Sequence, residues 1–255
     1  VALPFRPPAA AAASATLTIY QGSAQLAPSG SSTFSQVHSG QQLRGGHQVK
    51  TGPATAAAIR FADGSITRLD SGTVLSIRTL TVRGNSYQTE FSQSAGRTWN
   101  KVKRLVGPAS FHVNGPNNAT AEVRGTTFSF AIDPVTGVIT VNNYLGQVIL
   151  TAQLSSVTLN AGQSSTVTGN GTPTPPGPIP PGDESDQFTI FNIAADANSD
   201  ATGGAAIQSI SANNLLAVGA TKAVAAGGTG DGNSPLSFAL ARHGSTSERN
   251  DPHPP

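Results

Sequence analysis

Apolar and polar residues alternate along short runs through much of the chain. Leu17 and Ile19 alternate with polar neighbours near its start, and Phe128, Phe130 and Ile132 do so further on. A period of two places successive side chains on opposite faces of a β-strand. Turn residues separate these runs, and no helical periodicity of comparable length occurs. We therefore predict one all-β domain over residues 16–170, built as a sandwich or a β-helix-like fold.

The strongest hairpin signal is Asp63-Gly64, which separates an apolar run ending at Phe61 from one beginning at Ile66. A two-residue turn requires positive φ at both central residues, which Asp and Gly tolerate well. Such a turn places Phe61 opposite Ile66. Leu69 then lies out of phase with Ile66, which predicts either a β-bulge or a strand end nearby, at Arg68.

The last third of the chain has a different composition. Residues 171–187 are rich in proline, which favours an extended, semi-rigid linker. The extension at 188–255 has few large apolar side chains, so it cannot close a core of its own and is either disordered or docked. Its apolar cluster of Phe188, Ile190 and Phe191 alternates like a strand. We expect this cluster to dock as an added strand, on its own body or on a neighbouring subunit.

One segment of the extension has a metal-like spacing. Asp196, Asn198 and Asp200 stand at the spacing of the first three ligands of a calcium loop. The pattern then fails, because alanine follows where the sharp-turn glycine belongs. A turn rich in Asp, Asn and Ser explains the segment better, so calcium is a weak candidate and no cofactor is predicted.

Charge is sparse and unevenly distributed. Charged residues make up 11% of the chain, and the formal net charge is +2. Residues 1–170 hold 12 Lys/Arg and 5 Asp/Glu, a net of +7, whereas residues 171–255 hold 3 and 8, a net of −5. An acidic tail of this kind is able to dock on a basic body, its own or a neighbour's.

The basic surplus includes Lys101, Lys103 and Arg104, close to Trp99. Lysines on an edge strand discourage aggregation, so a solvated edge is the simpler interpretation. A basic patch beside an aromatic ring is also able to contact nucleic acid or another anionic polymer.

The N-terminal sequence suggests export. The chain starts at Val1 and contains no Met and no Cys. We interpret this as a processed product located outside the cell or on its surface, with the periplasm as the alternative. Residues 1–15 are expected to form an arm, and no run of about 18 apolar residues is present to cross a bilayer. The missing cysteines exclude thiol chemistry.

Several short motifs occur in a fixed order and together indicate a family. They are Leu43–Gly52, Ala57–Ser65, Leu69–Thr73, Gly96–Trp99, Phe111–Val113, Ala121–Phe128, Val141–Val148 and Leu159–Gln163. The set resembles the FecR-like domain family over about residues 20–167, and Val123-Arg124-Gly125-Thr126 is its most specific element. His47 stands where the family often has Asp. We predict structural roles for the Asp63-Gly64 turn and for Arg124-Gly125, with Arg124 paired to Glu122 or Asp63.

The resemblance implies a β-rich extracytoplasmic module without enzymatic activity. Well-known members transmit iron–siderophore signals to an anti-sigma partner, and they carry a membrane helix and a further domain that this sequence does not show. We therefore expect a cell-surface structural module whose extensions contact neighbouring subunits in an oligomer or polymer. A periplasmic sensor of the FecR signalling type is the second interpretation, and a polysaccharide- or nucleic-acid-binding module is the third.

The residue inventory offers little for catalysis. No G-x-S-x-G nucleophile motif is present, and the five histidines do not form a zinc-protease helix motif. The predicted β domain has too few free carboxylates for glycoside hydrolysis. We therefore predict a protein that is not an enzyme.

Overall fold

The computed structural model describes residues 11–83, 86–105 and 107–201. Strands dominate this part of the chain, so the all-β prediction is confirmed. In chain order the strands are β1 (Ala11–Ala12), β2 (Ala15–Gln21), β3 (Ala24–Ala27), β4 (Ser35–Val37), β5 (Gln41–Leu43), β6 (Gln48–Thr51), β7 (Ala56–Phe61), β8 (Ile66–Leu69), β9 (Val74–Arg83), β10 (Ser86–Lys101), β11 (Ser110–Asn114), β12 (Thr120–Val123), β13 (Thr127–Ile132), β14 (Ile139–Leu145), β15 (Gln147–Ala152), β16 (Ser155–Asn160), β17 (Gln163–Val167) and β18 (Gly177–Pro178). Two helices follow them, α1 (Pro181–Ser185) and α2 (Gln187–Ala201).

The strands form two sheets that share one long strand. Sheet A has the order β4-β3-β6-β9-β10-β11-β12-β15-β16, and β1 also pairs with β9. Sheet B has the order β5-β2-β7-β8-β10-β13-β14-β17-β18. Neighbours are antiparallel except for β10 and β11, which run parallel. Strand β10 belongs to sheet A in its first half and to sheet B in its second.

The hydrophobic core lies between the two sheets. Phe61 of sheet B and Phe91 of sheet A stack with their ring centroids 6.5 Å apart. Phe111 of sheet A meets both rings edge-on, at 5.8 Å and 5.4 Å. Edge-to-face packing adds to the stabilisation that burial of the rings provides. An aromatic cluster with residues from both sheets therefore holds the two sheets together.

Gly96 marks the point where β10 passes from one sheet to the other. Ala95 still pairs with Val74 of sheet A, and Gly96 already pairs with Ile132 of sheet B. Gly96 has a φ of 77°, and a Cβ atom there would lie 2.5 Å from the Cα of Thr73. Glycine adopts this backbone without strain, and any side chain here would collide with the backbone of Thr73.

Replacing Gly96 with alanine is therefore expected to destabilise the fold by about 3 kcal/mol, because the substitution combines backbone strain with a backbone clash. Chemical denaturation monitored by circular dichroism measures the loss. Gly72→Ala is the matched control, since Gly72 also has a positive φ, 66°, but nothing lies within 4 Å of its Cβ position. Equal losses in the two variants would contradict the role assigned to the close approach.

The Asp63-Gly64 hairpin is present, but its loop is one residue longer than predicted. The N–H of Phe61 donates to the carbonyl of Ser65 at 2.9 Å, and within residues 62–64 only Gly64 has a positive φ, 84°. The Asp63 carboxylate accepts hydrogen bonds from the N–H and the hydroxyl of Ser65, both at 2.8 Å. A single glycine in the left-handed region is typical of three-residue hairpin loops.

This extra residue reverses the faces of β8 relative to the prediction. Arg60, not Phe61, pairs with Ile66, so Ile66 lies on the outer face of sheet B. Leu69 joins the core between the sheets. Strand β8 ends at Leu69 and its pairing with β7 has no register shift, so the strand end is found and the bulge is not.

The Arg124-Gly125 turn is held by a close backbone approach. Gly125 has a φ of 111°, and a Cβ atom there would lie 2.8 Å from the Cα of Arg104. The predicted ion pair of Arg124 is wrong, because its side chain is exposed and its Nη1 donates to the Gly107 carbonyl at 3.4 Å. Glu122 lies 3.8 Å from His112 instead.

The predicted N-terminal arm lies partly within the sheets. Residues 11–12 form β1, and Ala13 and Ala15 are buried in the core cluster. Residues 1–10 lie outside the described part of the chain. The body therefore begins earlier than the predicted boundary at residue 16.

His47, which stands where the family often has Asp, is expected to make the stability of the fold depend on pH. Partial burial and the neighbouring Arg44 charge lower the pKa of its imidazole below 6.5. As the pH falls through 6.5, the ordinary pKa of histidine, His47 takes up a proton more readily in the unfolded state than in the folded state. The free energy of unfolding therefore decreases on acidification. We expect His47→Gln to reduce the fall in urea midpoint between about pH 7.5 and pH 5. Identical pH profiles for the variant and the wild type would contradict this assignment.

Candidate functional site

The proline-rich segment packs along the edge of sheet B and does not extend away from it. The N–H of Thr174 donates to the Thr166 carbonyl at 2.9 Å, and the Ile179 N–H donates to the Gly162 carbonyl at 3.1 Å. Ile179 is buried. The predicted free spacer at 171–187 is therefore wrong, because its backbone groups pair with the body and lead the chain to the outer face of sheet B.

Helix α2 begins with a side-chain cap that fixes its direction. The Asp186 carboxylate accepts hydrogen bonds from the N–H groups of Phe188, at 2.9 Å, and Thr189, at 3.2 Å. The Thr189 hydroxyl donates to the same carboxylate at 2.6 Å. These bonds satisfy amide groups that have no partner within the first helical turn.

A buried ion pair joins α2 to the outer face of sheet B. The Nη2 atom of Arg68 lies 2.8 Å from Oδ1 of Asp196, and the Trp99 indole N–H donates to Oδ2 of Asp196 at 2.8 Å. Nη1 of Arg68 donates to the side-chain carbonyl of Asn192 at 3.2 Å. Arg68 and Trp99 are each only 1% exposed. Because this ion pair is buried, removal of either side chain would leave the charge of the other without compensation.

Tyr144 continues this buried layer next to Trp99. The two ring centroids are 4.5 Å apart, and burial raises the pKa of the Tyr144 phenol above 10. Aromatic rings on the outer face of a sheet are normally solvated. Here the helix covers them.

Arg97 forms a second, more exposed junction between the sheet and the helix. Its Nη2 lies 2.8 Å from the Asp70 carboxylate, and its Nη1 lies 2.9 Å from the Asp186 carboxylate. The guanidinium carbon also lies 4.4 Å from the centre of the Phe188 ring. Because these side chains are about 30% exposed, solvent screens the pairs and each contributes less than the Arg68 pair.

A groove of about 580 Å³ opens between sheet B and the start of the helical segment. Its charged lining residues are Asp70, Arg97, Asp133, Asp183 and Asp186, so carboxylates exceed cations. The side-chain amide of Asn142 in β14 donates to the Asp183 carboxylate in α1 at 2.8 Å. Hydrogen bonds from the N–H and hydroxyl of Thr136 lower the pKa of Asp133, so its carboxylate is charged at neutral pH.

The structure corrects the prediction for the apolar cluster of the extension. Phe188, Ile190 and Phe191 lie in helix α2, and none of them is part of an added strand. Phe191 is buried and Ala195 follows one turn later on the same face. The docking itself occurs as expected, within the same chain, and the acidic segment contacts basic residues of the body. Residues 202–255 of the predicted extension lie outside the described part of the chain.

The calcium-like spacing falls in the same helix. Asp196, Asn198 and Asp200 lie in helical backbone where the sequence favoured a turn, and Asp196 faces Arg68. The side chains of Asn198 and Asp200 lie outside the described ones. Among the side chains that are described, no group of three or more His, Asp or Glu is placed to hold a metal ion.

The basic patch is divided by the docked helix. Lys101 ends a central strand, between β8 and β13, so the predicted solvated edge strand is wrong. Its Nζ donates to the Asp196 carbonyl at 3.3 Å. Lys103 and Arg104 are exposed, and they lie beside Gly64 and Gly125 respectively. Trp99 is covered, so the predicted combination of this patch with an exposed aromatic ring does not occur.

Most residues that build this site carry no local signal in the sequence. The contacts of Arg68 and Arg97 with the helix join residues far apart in the sequence. Arg68 and Asn192, for example, are 124 positions apart, so no local pattern connects them. One local signal was available, because Asp186 followed by Thr189 is a helix N-cap pattern.

Comparison with known proteins agrees with the motif order. The model of the FecR protein family matches residues 47–148. The matched segment is similar to the FecR domain and makes up less than half of the chain. The match starts just before β6 and ends in β15, so it includes the shared strand β10 with Arg97 and Trp99. The predicted recognition is confirmed over these residues.

Two solved structures, both described as "a putative anti-sigma factor from Parabacteroides distasonis ATCC 8503", resemble the chain with 18% sequence identity and a TM-score of 0.46. The similarity covers 56% of this chain and 63% of each of those chains, so this chain spans less than two thirds of their length. No curated protein matches the chain. Neither helix in the described part of the chain combines the length and the apolar character needed to cross a membrane.

Proposed function

We propose that the chain is a FecR-type regulatory module that acts outside the cytoplasm by binding a protein and does not catalyse a reaction. The observation that carries this proposal is the FecR family match over residues 47–148. It favours the second interpretation of the sequence, a signalling module, over the interpretation as a structural assembly protein.

The geometry supports a binding role. The polar side chains of the outer face of sheet B are engaged in directional contacts with a helix, through Arg68, Trp99 and Arg97. Such a face recognises a partner by matching hydrogen bonds and charge. The carboxylates of the groove are engaged as well, since Asp70 and Asp186 both pair with Arg97.

Deletion of the gene in the source organism tests the proposal, with transcript abundance as the measurement. A FecR-type module is expected to alter one group of transcripts under a single sigma factor, at least severalfold, and a plasmid copy of the gene restores them. A copy carrying Gly96→Ala is the negative control, because this substitution weakens the fold and should restore the transcripts less well. Unchanged transcription together with an altered cell surface would contradict signalling and favour the structural interpretation.

A further inference from the structure

The outer face of sheet B that α2 covers carries polar side chains. Arg68 and Trp99 project from neighbouring strands β8 and β10, which pair directly at these two residues. Trp99 is buried yet absent from the core cluster between the sheets, so its burial comes from the helix on the outside. We call Arg68, Trp99 and Lys101 the helix-binding face.

Helix α2 presents a matching set of groups at helical spacing. Thr189, Asn192 and Asp196 are buried and stand three and four positions apart, so they share one side of the helix. Asn192 and Asp196 both bind Arg68, and Asp196 also binds Trp99. The helix is therefore held mainly by polar side chains on one side, and Phe191 and Ala195 are the buried apolar residues next to them.

The β body is complete without this helix. The residues of the core cluster between the sheets all lie between Ala13 and Val167, and none comes from α1 or α2. Helix α2 thus packs on the surface of a domain whose core does not include it, as a separate protein would. Intrachain contacts of this kind resemble transient interfaces and are more polar than permanent ones.

We propose that the helix-binding face is a receptor for an acidic helix with a mostly polar contact face. In this proposal α2 is the resident ligand, and a helix of the same chemistry on a partner protein replaces it. The inference rests on the proposed function and names the chemistry of its partner. The recognised motif is a pair of Asn or Asp residues four positions apart that face Arg68 and Trp99. An apolar residue directly precedes the first member of the pair, as Phe191 precedes Asn192 in α2. Recognition of a helix through residues at such spacing is a common mode of peptide binding.

The charge of the chain favours this occupant. The body carries the basic surplus, and the described part of the tail, residues 171–201, carries Asp and Glu but no Lys or Arg. Tethering gives α2 a local concentration in the millimolar range, so a competing free helix binds the wild-type chain only weakly. Release of α2 removes this competition.

A fluorescent peptide with the sequence of residues 181–201 tests the inference on the full chain. Asp196→Lys places a cation against Arg68 and is expected to release α2. The released chain should bind the peptide at least tenfold more tightly than the wild type, and Trp99 emission should return to that of a buried indole on binding. Glu184→Lys makes the same charge change at an exposed position of α1 and is expected to behave as the wild type. A peptide carrying its own Asp196→Lys change should not bind.

Absence of peptide binding to a folded Asp196→Lys chain whose Trp99 emission shows release would overturn the inference. Concentration-dependent doubling of the mass of the wild-type chain in light scattering, with Trp99 buried, would also overturn it, because the helix of a second copy would then be the occupant. If Asp196→Lys prevents folding, Phe191→Ala serves as the releasing variant, since it weakens docking without adding a charge. The peptide result and the transcript result are independent, so failure of one leaves the other interpretable.

Discussion

Replacing Asp196 with alanine should detach α2 from sheet B and destabilise the docked state by about 3–5 kcal/mol. The substitution leaves the buried Arg68 guanidinium without its counter-ion and removes the acceptor of the Trp99 indole N–H. Removal of one partner of a buried ion pair has effects of this size, because an uncompensated charge remains. Detachment of the helix limits the loss of stability, because water then reaches and solvates the Arg68 guanidinium.

Trp99 provides a direct measurement of this change, because the chain contains one tryptophan. Its fluorescence should shift from the emission of a buried indole to that of a solvated one, while the circular dichroism of the strands is retained. Glu184→Ala is the control, since it removes an exposed carboxylate from the same helical segment. An unchanged emission maximum in Asp196→Ala would show that α2 is held by other contacts.

Replacing Phe111 with alanine should cost about 3–5 kcal/mol, the usual range for a buried phenylalanine in a core. The ring is 1% exposed and touches Phe61 and Phe91, so its removal opens a cavity between the two sheets. A domain of ordinary stability has about 5–15 kcal/mol in total, so this variant should be marginally folded. Urea denaturation followed by circular dichroism measures the difference.

Phe188→Ala is the comparison for this core variant. The Phe188 ring is only partly buried and packs on the Arg97 guanidinium at the surface. Its loss should lower stability much less and should act on the docking of α2. A Phe111→Ala variant as stable as Phe188→Ala would mean that the sheets are not held together by the aromatic cluster.

Local patterns were sufficient for the strands because alternation and turn chemistry are properties of neighbouring residues. The run at Phe128, Phe130 and Ile132 lies in β13 as predicted. The hairpin at Asp63-Gly64 was located correctly, yet its loop length was not. The Asp-Gly pair is compatible with a two-residue or a three-residue loop, and the difference of one residue decided which face of β8 enters the core.

The helix at 187–201 shows where local patterns failed. Phe188, Ile190 and Phe191 form a short apolar run, and periodicity alone does not separate a strand from a helix in so few residues. The buried positions that define the helical face are mostly polar, including Thr189, Asn192 and Asp196, so hydrophobicity does not reveal them. Tertiary contacts with Arg68 and Trp99 make these residues part of an interface.

The sequence by itself determined an all-β body, the order of the FecR motifs and the opposite charges of body and tail, since each is a local or summed property of residues. Only the tertiary structure decided that part of the tail docks on its own body as a helix. The physical reason is distance along the chain: Asp196 follows Trp99 by 97 positions, and their hydrogen bond exists only because the body brings Arg68 and Trp99 side by side on sheet B.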